Sequence, residues 1–312
     1  MRICSLLPSS TEIVYALGLG DDLVAVTHEC DFPPDAATKP RITRSAVDSD
    51  RLSSREIDAL VHDHLHDHRS IYHLDRDLLE RLDPDLILTQ ELCDVCAVSY
   101  EAVKAAVRTL YGDRTILSLE PTRFREVIDT IGRVGEVTNR GDRARELAER
   151  LGREVDVITA AVADVERRPR VVCLEWLDPP WVGGHWIPEM VRLAGGEDPL
   201  GQEGSPSVRV DWQRVVEARP EVVILMPCGF DVDRAVAEFR PENLPTGWHD
   251  LPAVRNGQVY AVHANAYFSR PGPRLVEGLR ILAGILHPER VALHKDATAW
   301  RRLDGNAGTA RT

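Results

Sequence analysis

A strand–turn–helix pattern occurs at the start of the chain and again in its second half. Residues 2–6 (Arg-Ile-Cys-Ser-Leu) and residues 170–174 (Arg-Val-Val-Cys-Leu) both read as short buried strands. The helices predicted after these strands end at Gly18 and Gly195. An internal repeat of this kind predicts two units of similar structure.

Within each half, strands alternate with helices. The spacing of Ser9 and Glu12 matches a capping box, which predicts that the first helix begins at Ser9. Residues 83–88 and 219–224 share the order of helix end, proline, acid and buried strand. Because alternating strands and helices form parallel sheets, we expect an α/β protein with two Rossmann-like lobes, each containing a parallel sheet.

The segment between the two lobes has a different pattern. Residues 124–165 carry helix formers in amphipathic order and no strand signal, which predicts a long helix joining the lobes. The expected domains are an N-terminal α/β lobe at 1–122, a helical connector at 123–168, a C-terminal α/β lobe at 169–294 and a flexible tail at 295–312.

Charge and hydropathy exclude two classes of partner. Acidic side chains outnumber basic ones by 50 to 38, and the resulting net charge of -12 repels phosphate backbones, so no nucleic acid is expected to bind. No apolar run reaches the roughly 18 to 20 residues of a membrane span, so we expect no membrane insertion. If Met1 is the natural start, we expect no signal peptide and a cytoplasmic protein whose six cysteines are thiols or metal ligands. If the natural chain begins earlier, an extracytoplasmic location is the alternative.

Four segments of the sequence resemble one known family. They are residues 5–13 (Ser-Leu-Leu-Pro-Ser-Ser-Thr-Glu-Ile), 17–21 (Leu-Gly-Leu-Gly-Asp), 24–33, which ends in Cys-Asp-Phe-Pro, and 84–87 (Pro-Asp-Leu-Ile). Over most of its length the chain resembles the class III substrate-binding proteins of ABC importers, which bind cobalamin, haem or siderophores. It is most similar to the cobalamin-binding branch. The resemblance implies two lobes bridged by a rigid helix, a ligand in the cleft between them and little hinge motion.

Two features depart from the pattern of that family. Members that serve importers are exported or lipid-anchored, whereas this sequence shows neither a signal nor a lipobox cysteine. The exported cobalamin binder also docks on its permease through an acidic residue on each lobe. The matching positions here are Asp75 or Asp77 and Gln213, so only the first lobe keeps an acid. The resemblance leaves docking on an ABC permease open.

Aromatic residues indicate where a ligand binds. Ligands of open parallel sheets gather beyond the carboxyl ends of the strands, and three tryptophans fall in the eleven residues that follow one such strand. Their faces suit a flat, apolar macrocycle, although they can instead pack the lobe itself. The predicted ligand-binding residues are Pro8, Ser9, Ser10, Thr11, His28, Glu29, Gln90 and Glu91 in the first lobe, and Trp176, Trp181, His185, Trp186, Phe230, Tyr267, Phe268 and Arg270 in the second.

The cysteines allow a different interpretation. Cys93 and Cys96 form a C-x-x-C pair, and Cys30 and Cys228 follow other predicted strands. Such a set can bind zinc or an iron–sulfur cluster, can consist of structural thiols, or can ligate the metal of a tetrapyrrole. His185 is a further candidate axial ligand, or an ordinary hydrogen-bonded side chain.

The sequence contains none of the common catalytic motifs. It has no G-x-S-x-G, no H-E-x-x-H, no P-loop and no G-x-G-x-x-G after a strand, so we expect a protein that is not an enzyme. The expected function is non-catalytic binding of a corrinoid such as cobalamin in an interlobe cleft. The alternatives are a haem or siderophore binder of the same fold, and a metal or iron–sulfur redox protein that uses Cys30, Cys93, Cys96 and Cys228.

Overall fold

A computed structural model describes residues 1–47, 52–66, 71–90, 114–239 and 244–303. The chain divides into two compact units. The first unit comprises Met1–Pro121 and Val127–Arg150, and the second comprises Thr122–Glu126 and Leu151–Thr312. Both units are α/β, as the repeated pattern predicts.

The first unit is built on a four-stranded parallel sheet. Its strands are β1 (Ile3–Ser5), β2 (Leu23–Ala25), β5 (Leu86–Thr89) and β6 (Thr115–Ser118), in the order β2-β1-β5-β6. Strands β1 and β5 are buried along their whole length, as expected for parallel strands covered on both faces. An antiparallel pair, β3 (Thr43–Ser45) and β4 (Tyr72–Leu74), lies outside this sheet. The helices are α1 (Pro8–Ala16), α2 (Ser54–His66) and α3 (Arg76–Leu82).

Helix α1 begins one residue earlier than the capping-box pattern predicts. Pro8 is its first residue and Leu7 is the N-cap, with no side-chain cap hydrogen bond. Proline suits this position because the first helical residue needs no amide hydrogen. Ser9 and Glu12, the two residues of the predicted capping box, are both buried.

The segment that joins the two lobes in the sequence prediction contains two helices. They are α4 (Phe124–Val137) and α5 (Gly141–Ala161). The break coincides with Asn139, whose φ of 56° lies in the left-handed region that interrupts a helix. The two helices approach closely at Gly135, where a Cβ atom would collide with the methyl group of Ala144.

The second unit has a six-stranded mixed sheet in the order β12-β11-β10-β7-β8-β9. The parallel centre consists of β7 (Val171–Leu177), β10 (Val222–Leu225) and β11 (Val259–Val262), and the antiparallel strands are β8 (Pro180–Val182), β9 (Val208–Arg209) and β12 (Trp300–Leu303). Its helices after α5 are α6 (Ile187–Leu193), α7 (Trp212–Ala218), α8 (Val232–Glu238), α9 (Pro252–Arg255), α10 (Ala264–Tyr267) and α11 (Leu275–Leu286).

Residues 295–303, the described part of the expected flexible tail at 295–312, include a strand. Strand β12 pairs with β11 in the register Val259↔Leu303 to Val262↔Trp300. The pairing is antiparallel, and it supplies the backbone hydrogen bonds that the weakly patterned sequence did not indicate. Among the described residues, no helix is both long enough and apolar enough to cross a membrane.

Candidate functional site

The carboxyl end of β1 in the first unit is occupied by a buried hydroxyl network. Thr11 Oγ1 donates a hydrogen bond of 2.7 Å to Ser5 Oγ, and Ser10 Oγ lies 2.7 Å from the same atom. The hydroxyl oxygens of Ser10 and Thr11 each also lie 3.1 Å from the carbonyl oxygen of Leu7. The side chains of Ser9, Ser10 and Thr11 are buried, and those of Ser10 and Thr11 fix the turn between β1 and α1. The predicted ligand contact of these three residues is through their backbone amides at the start of the helix, and it stays a prediction. Of this group only Pro8 is partly exposed.

The buried thiols of the first unit belong to the same network. The Sγ atom of Cys30 lies 3.1 Å from Thr11 Oγ1 and 3.4 Å from Thr27 Oγ1. Burial, and secondarily the neighbouring Cys30, raises the pKa of Cys4 to about 12. A thiol that stays protonated at neutral pH is a poor metal ligand, since the thiolate is the ligating form.

Two of the four predicted metal ligands lie in the described residues. Cys30 is buried in the first unit and Cys228 is exposed in the second. Cys93 and Cys96 lie outside the described residues. In the described ranges, no group of three or more His, Cys, Asp or Glu side chains is arranged to hold a metal ion. The structure therefore lends no support to the zinc or iron–sulfur alternative.

His28 follows β2 and is held against the β3–β4 pair. Its Nδ1 lies 2.8 Å from Thr43 Oγ1, and its ring centroid is 5.5 Å from that of Tyr72. Its Nε2 lies 3.4 Å from a carboxylate oxygen of Glu29, which is exposed. Burial lowers the pKa of His28; the Glu29 carboxylate opposes this effect and Arg41 adds to it. Partly exposed and neutral, His28 remains a candidate contact residue.

The other predicted contacts of the first unit lie just after β5. Gln90 is buried. Glu91 lies outside the described residues.

An aromatic group follows the carboxyl end of β7 in the second unit. Trp176 on β7 and Trp181 on β8 are directly opposite partners in the antiparallel ladder, and both are partly exposed. Opposite residues of a ladder project to the same face of the sheet. The ring of Trp176 meets that of buried Phe230 edge-on at 5.5 Å, and the guanidinium of Arg234 lies 3.9 Å from the centre of the Phe230 ring. We call Trp176, Trp181 and Phe230 the aromatic face.

Trp186, by contrast, packs inside the second unit. It is buried, and its indole N–H donates a 2.8 Å hydrogen bond to the carbonyl of Phe268. Phe268 and Arg270, which were also predicted to bind the ligand, are buried as well. The hydrogen bond between Trp186 and Phe268 stabilises the unit, and the predicted ligand contacts of these three residues stay predictions. Of their neighbours, Tyr267 is partly exposed, and the guanidinium of Arg274 lies 5.9 Å from the centre of its ring.

His185 lies between the aromatic face and Trp186 in the chain. Its φ of 49° is in the left-handed region, and its backbone N–H donates to the carbonyl of Ser205 at 2.5 Å. The carbonyl of His185 accepts from the N–H of Gly204 at 2.9 Å. The lack of a side chain at Gly184 allows the two segments to lie this close, because a Cβ atom there would collide with the backbone of residues 205–207. The loop therefore holds the imidazole in a defined place.

The charge state of the His185 imidazole suits coordination of a metal ion. Burial lowers its pKa, so the imidazole is neutral at pH 7. Within the described part of the chain, the ring makes no hydrogen bond. A neutral imidazole with a free lone pair is a common metal ligand.

Several residues beside the predicted site escaped the sequence analysis. Thr43 and Tyr72 flank His28, and Arg234 covers Phe230. A Ser207 hydroxyl also donates to the Glu175 carboxylate in a short hydrogen bond. Arg234 lies in the first turns of α8 and Phe230 precedes its N-cap Asp231, so this contact joins residues that are close in the sequence. The other contacts depend on strands that are distant in the sequence.

Known proteins resemble this chain over almost its full length. An uncharacterised ABC transporter substrate-binding lipoprotein of Bacillus subtilis strain 168 is 24% identical over 294 residues, covering 92% of this chain and 80% of that protein. The solved structure of a periplasmic vitamin B12 binding protein of Vibrio cholerae has a TM-score of 0.67 at 23% identity, over 92% of this chain and 96% of the other. A periplasmic heme-binding protein of Roseiflexus sp. RS-1 has a TM-score of 0.68 at 21% identity, over 92% and 98%.

These relatives correct the expected location. The similar solved proteins are periplasmic and the Bacillus subtilis relative is a lipoprotein, so the expectation of a cytoplasmic protein is wrong. That expectation rested on Met1 as the natural start and on the absence of a visible signal.

The family assignment follows from the sequence itself. Residues 3–266 match the family described as periplasmic binding protein, which is well over half of the chain. This is a family of solute-binding proteins rather than enzymes, in agreement with the prediction from the sequence. The α/β architecture is also that of the class III members. The chain belongs to the periplasmic binding protein family.

Proposed function

We propose that this protein binds a metal-centred macrocycle for an ABC importer, and that the ligand is a corrinoid such as cobalamin. The observation that carries the proposal is the aromatic face on the second unit. It places two partly exposed indoles side by side at the carboxyl end of a parallel strand, where ligands of such sheets bind.

The chemistry of the aromatic face matches that of a corrinoid. Each aromatic side chain offers roughly 150–250 Å² of surface, and adjacent indoles make an apolar platform wide enough for part of a macrocycle. Phe230 is buried behind Trp176 and is covered in turn by Arg234, so the platform has a fixed support. The vitamin B12-binding relatives support this ligand class by similarity.

Haem is the second candidate, and His185 favours it. The imidazole is neutral, partly exposed and fixed by its backbone hydrogen bonds to the segment around Ser205. Such a group can ligate the iron of a haem, whereas a corrinoid can be bound by packing alone. Similar structures include heme-binding proteins, so the fold accommodates both ligands.

A direct titration separates the two ligands. Hydroxocobalamin and hemin are added separately to the purified protein, with tryptophan quenching and the absorption spectrum as readouts. We expect saturable quenching by hydroxocobalamin that is weakened at least roughly ten-fold in Trp181→Ala. Trp300→Ala is the matched control, because Trp300 is a partly exposed indole of the same unit that lies outside the aromatic face.

Two results of the titration would contradict the proposal that the ligand is a corrinoid. A Soret shift with hemin that is lost in His185→Ala, with no response to hydroxocobalamin, would replace the corrinoid by haem. Absence of saturable binding of either compound would remove the macrocycle proposal altogether.

We place docking on the permease at exposed acids. Asp77 in the first turn of α3 is exposed, whereas Asp75 caps that helix by accepting a 2.8 Å hydrogen bond from the N–H of Leu78. In the second unit Gln213 donates to Glu217 at 3.2 Å, so a carboxylate stands beside the position where the family pattern expects an acid. Reconstitution with a candidate permease, comparing Asp77→Asn and Glu217→Gln with the parent, tests this assignment.

A further inference from the structure

A large cavity of the second unit begins at the end of its sheet that is opposite to the aromatic face and extends along β12 to Trp300, which pairs with Val262. Its volume is about 1350 Å³, and it is lined by Pro169, Glu221 and Gln258, which precede or begin β7, β10 and β11. These are the amino ends of the parallel strands. The aromatic face follows the carboxyl end of β7, so the two features do not share residues.

One wall of the cavity is made by strand β12 and the segment before it. Because side chains alternate along a strand, Trp300 and Arg302 project to one face of β12 and Arg301 projects to the other. Trp300 approaches Tyr260 on β11, with ring centroids 6.0 Å apart, and its indole N–H donates to the carbonyl of His294 at 2.9 Å. Trp300 is partly exposed, so a flat aromatic surface lines the cavity.

The lining is more cationic than the rest of the protein. Five arginine and lysine side chains line the cavity against three glutamates, a local excess of two positive charges in a chain whose net charge is -12. Glu221 is already paired with Arg167. Arg290 is paired with Asp164 at 3.4 Å. Arg301 is paired with Asp233 at 2.7 Å. The two cations of the lining that are left are Lys295 and Arg302.

Among the described residues, Lys295 and Arg302 have N–H donors that are not used in hydrogen bonds. Arg302 donates from Nε to the carbonyl of Gly257 at 2.5 Å and from Nη2 to that of Asn256 at 3.4 Å. A guanidinium has five N–H donors, so about three remain. In the described ranges, neither Arg302 nor the exposed Lys295 pairs with a carboxylate. The two backbone hydrogen bonds hold the Arg302 fork in a fixed orientation, which favours bidentate binding of an anion.

We propose that this cavity is a second binding site, for a small organic anion with a flat ring, of the aromatic carboxylate class. The carboxylate binds Arg302 and Lys295, and the ring packs on Trp300. The volume exceeds the roughly 300–1,000 Å³ of ordinary small-molecule pockets, so size does not exclude such a ligand. The site is independent of macrocycle binding.

The test uses isothermal titration calorimetry of the full chain with 2-naphthoate as the probe. We expect saturable binding that is weakened roughly ten-fold or more in Lys295→Gln and in Arg302→Gln. Arg214→Gln is the matched control, because Arg214 is an exposed arginine of the same unit that does not line the cavity. Lys295 is exposed, so its replacement leaves the fold intact even if Arg302→Gln destabilises β12.

Two comparison compounds test each half of the proposed chemistry. Cyclohexanecarboxylate keeps the charge without the flat ring, and 2-naphthalenemethanol keeps the ring without the charge. Both should bind more weakly than 2-naphthoate. Binding of 2-naphthoate that is equal in the parent, Lys295→Gln and Arg302→Gln, or no saturable heat up to millimolar concentrations, would overturn the proposal. Neither result would alter the hydroxocobalamin titration, so the two proposals fail separately.

Discussion

The indole N–H of Trp186 donates a hydrogen bond to the carbonyl of Phe268, which is 82 residues further along the chain. The bond is 2.8 Å long and buried, and it connects the start of α6 with the segment after α10. It shows that one of the three clustered tryptophans serves the packing of the second unit, while Trp176 and Trp181 remain partly exposed.

Replacing Trp186 should therefore reduce stability rather than ligand contact. Trp186→Phe leaves the buried carbonyl of Phe268 without its donor and removes part of the packed ring. We expect the free energy of unfolding to fall by about 2 kcal/mol in urea denaturation followed by circular dichroism. Trp181→Phe, which changes a partly exposed indole, should cost less than about 1 kcal/mol. Equal losses in the two variants would contradict this assignment.

For two glycines of the second unit, Gly184 and Gly152, we expect substitution by alanine to have opposite effects on stability. A Cβ at Gly184 would collide with the backbone of Pro206 and Ser207, so Gly184→Ala should destabilise the protein by about 1–3 kcal/mol. Gly152 lies in the interior of α5 with open space around it, so Gly152→Ala should stabilise by about 0.5–1 kcal/mol. Thermal melts of the two variants beside the parent check both signs. A stabilising Gly184→Ala would show that the loop readily moves away.

Histidine titration gives a prediction about pH. Burial lowers the pKa of His185 below its ordinary value of 6.5. Between 6.5 and the lowered value the unfolded chain binds more protons than the folded one, so stability falls as the pH falls through that window. Above pH 6.5 this residue contributes no pH dependence. Nuclear magnetic resonance titration of the histidine ring protons checks the direction.

The variant His185→Asn provides the control for that titration. Asparagine tolerates the left-handed conformation that His185 adopts, so the backbone is retained while the titrating group is removed. The variant should lose part of the acid-dependent decrease in stability. A His185 resonance that titrates above pH 6.5 would refute the prediction.

We expect the buried and the exposed cysteines to differ in how fast they react with a thiol reagent. Cys4, Cys30 and Cys173 are buried, and burial raises the pKa of Cys4 and Cys173, so these thiols should react with Ellman's reagent only after unfolding. Cys228 is exposed and should react in the native protein.

A background that lacks the C-x-x-C pair makes the thiol count unambiguous. In Cys93→Ser/Cys96→Ser protein we expect one fast-reacting thiol, which is abolished by Cys228→Ser. A second fast thiol in that background would mean that one of the buried cysteines is accessible.

Much of the architecture could be predicted because it depends on local pattern. The buried strands at residues 3–5 and 171–177 and the glycine endings of the following helices are readable from short segments. The start of α1 differs from the predicted one by one residue, because Pro8 occupies the first helical position and Leu7 is the N-cap. The hydrogen bonds of Ser10 and Thr11 with Ser5 and Leu7 are tertiary contacts that a capping pattern does not reveal.

The candidate site was less predictable because it depends on contacts between distant segments. Trp176, Trp181 and Trp186 share one segment of sequence, and only the β7–β8 register and the bond to Phe268 distinguish the exposed indoles from the buried one. Strand β12 was missed for the same reason. Its residues gain strand structure from pairing with β11, and their own periodicity is weak.

Strand β12 also has a consequence for the behaviour of the protein at high concentration. Without β12, the apolar strand β11 would be the edge strand of the sheet. Its unpaired N–H and C=O groups could then pair with a strand of a second molecule. When β12 is present, this edge strand of the sheet has four residues and carries two arginines. The edge strand on the other side of the sheet, β9, has only two residues. Short, charged edge strands of this kind resist self-association, so truncation before Trp300 should increase aggregation of the protein at high concentration.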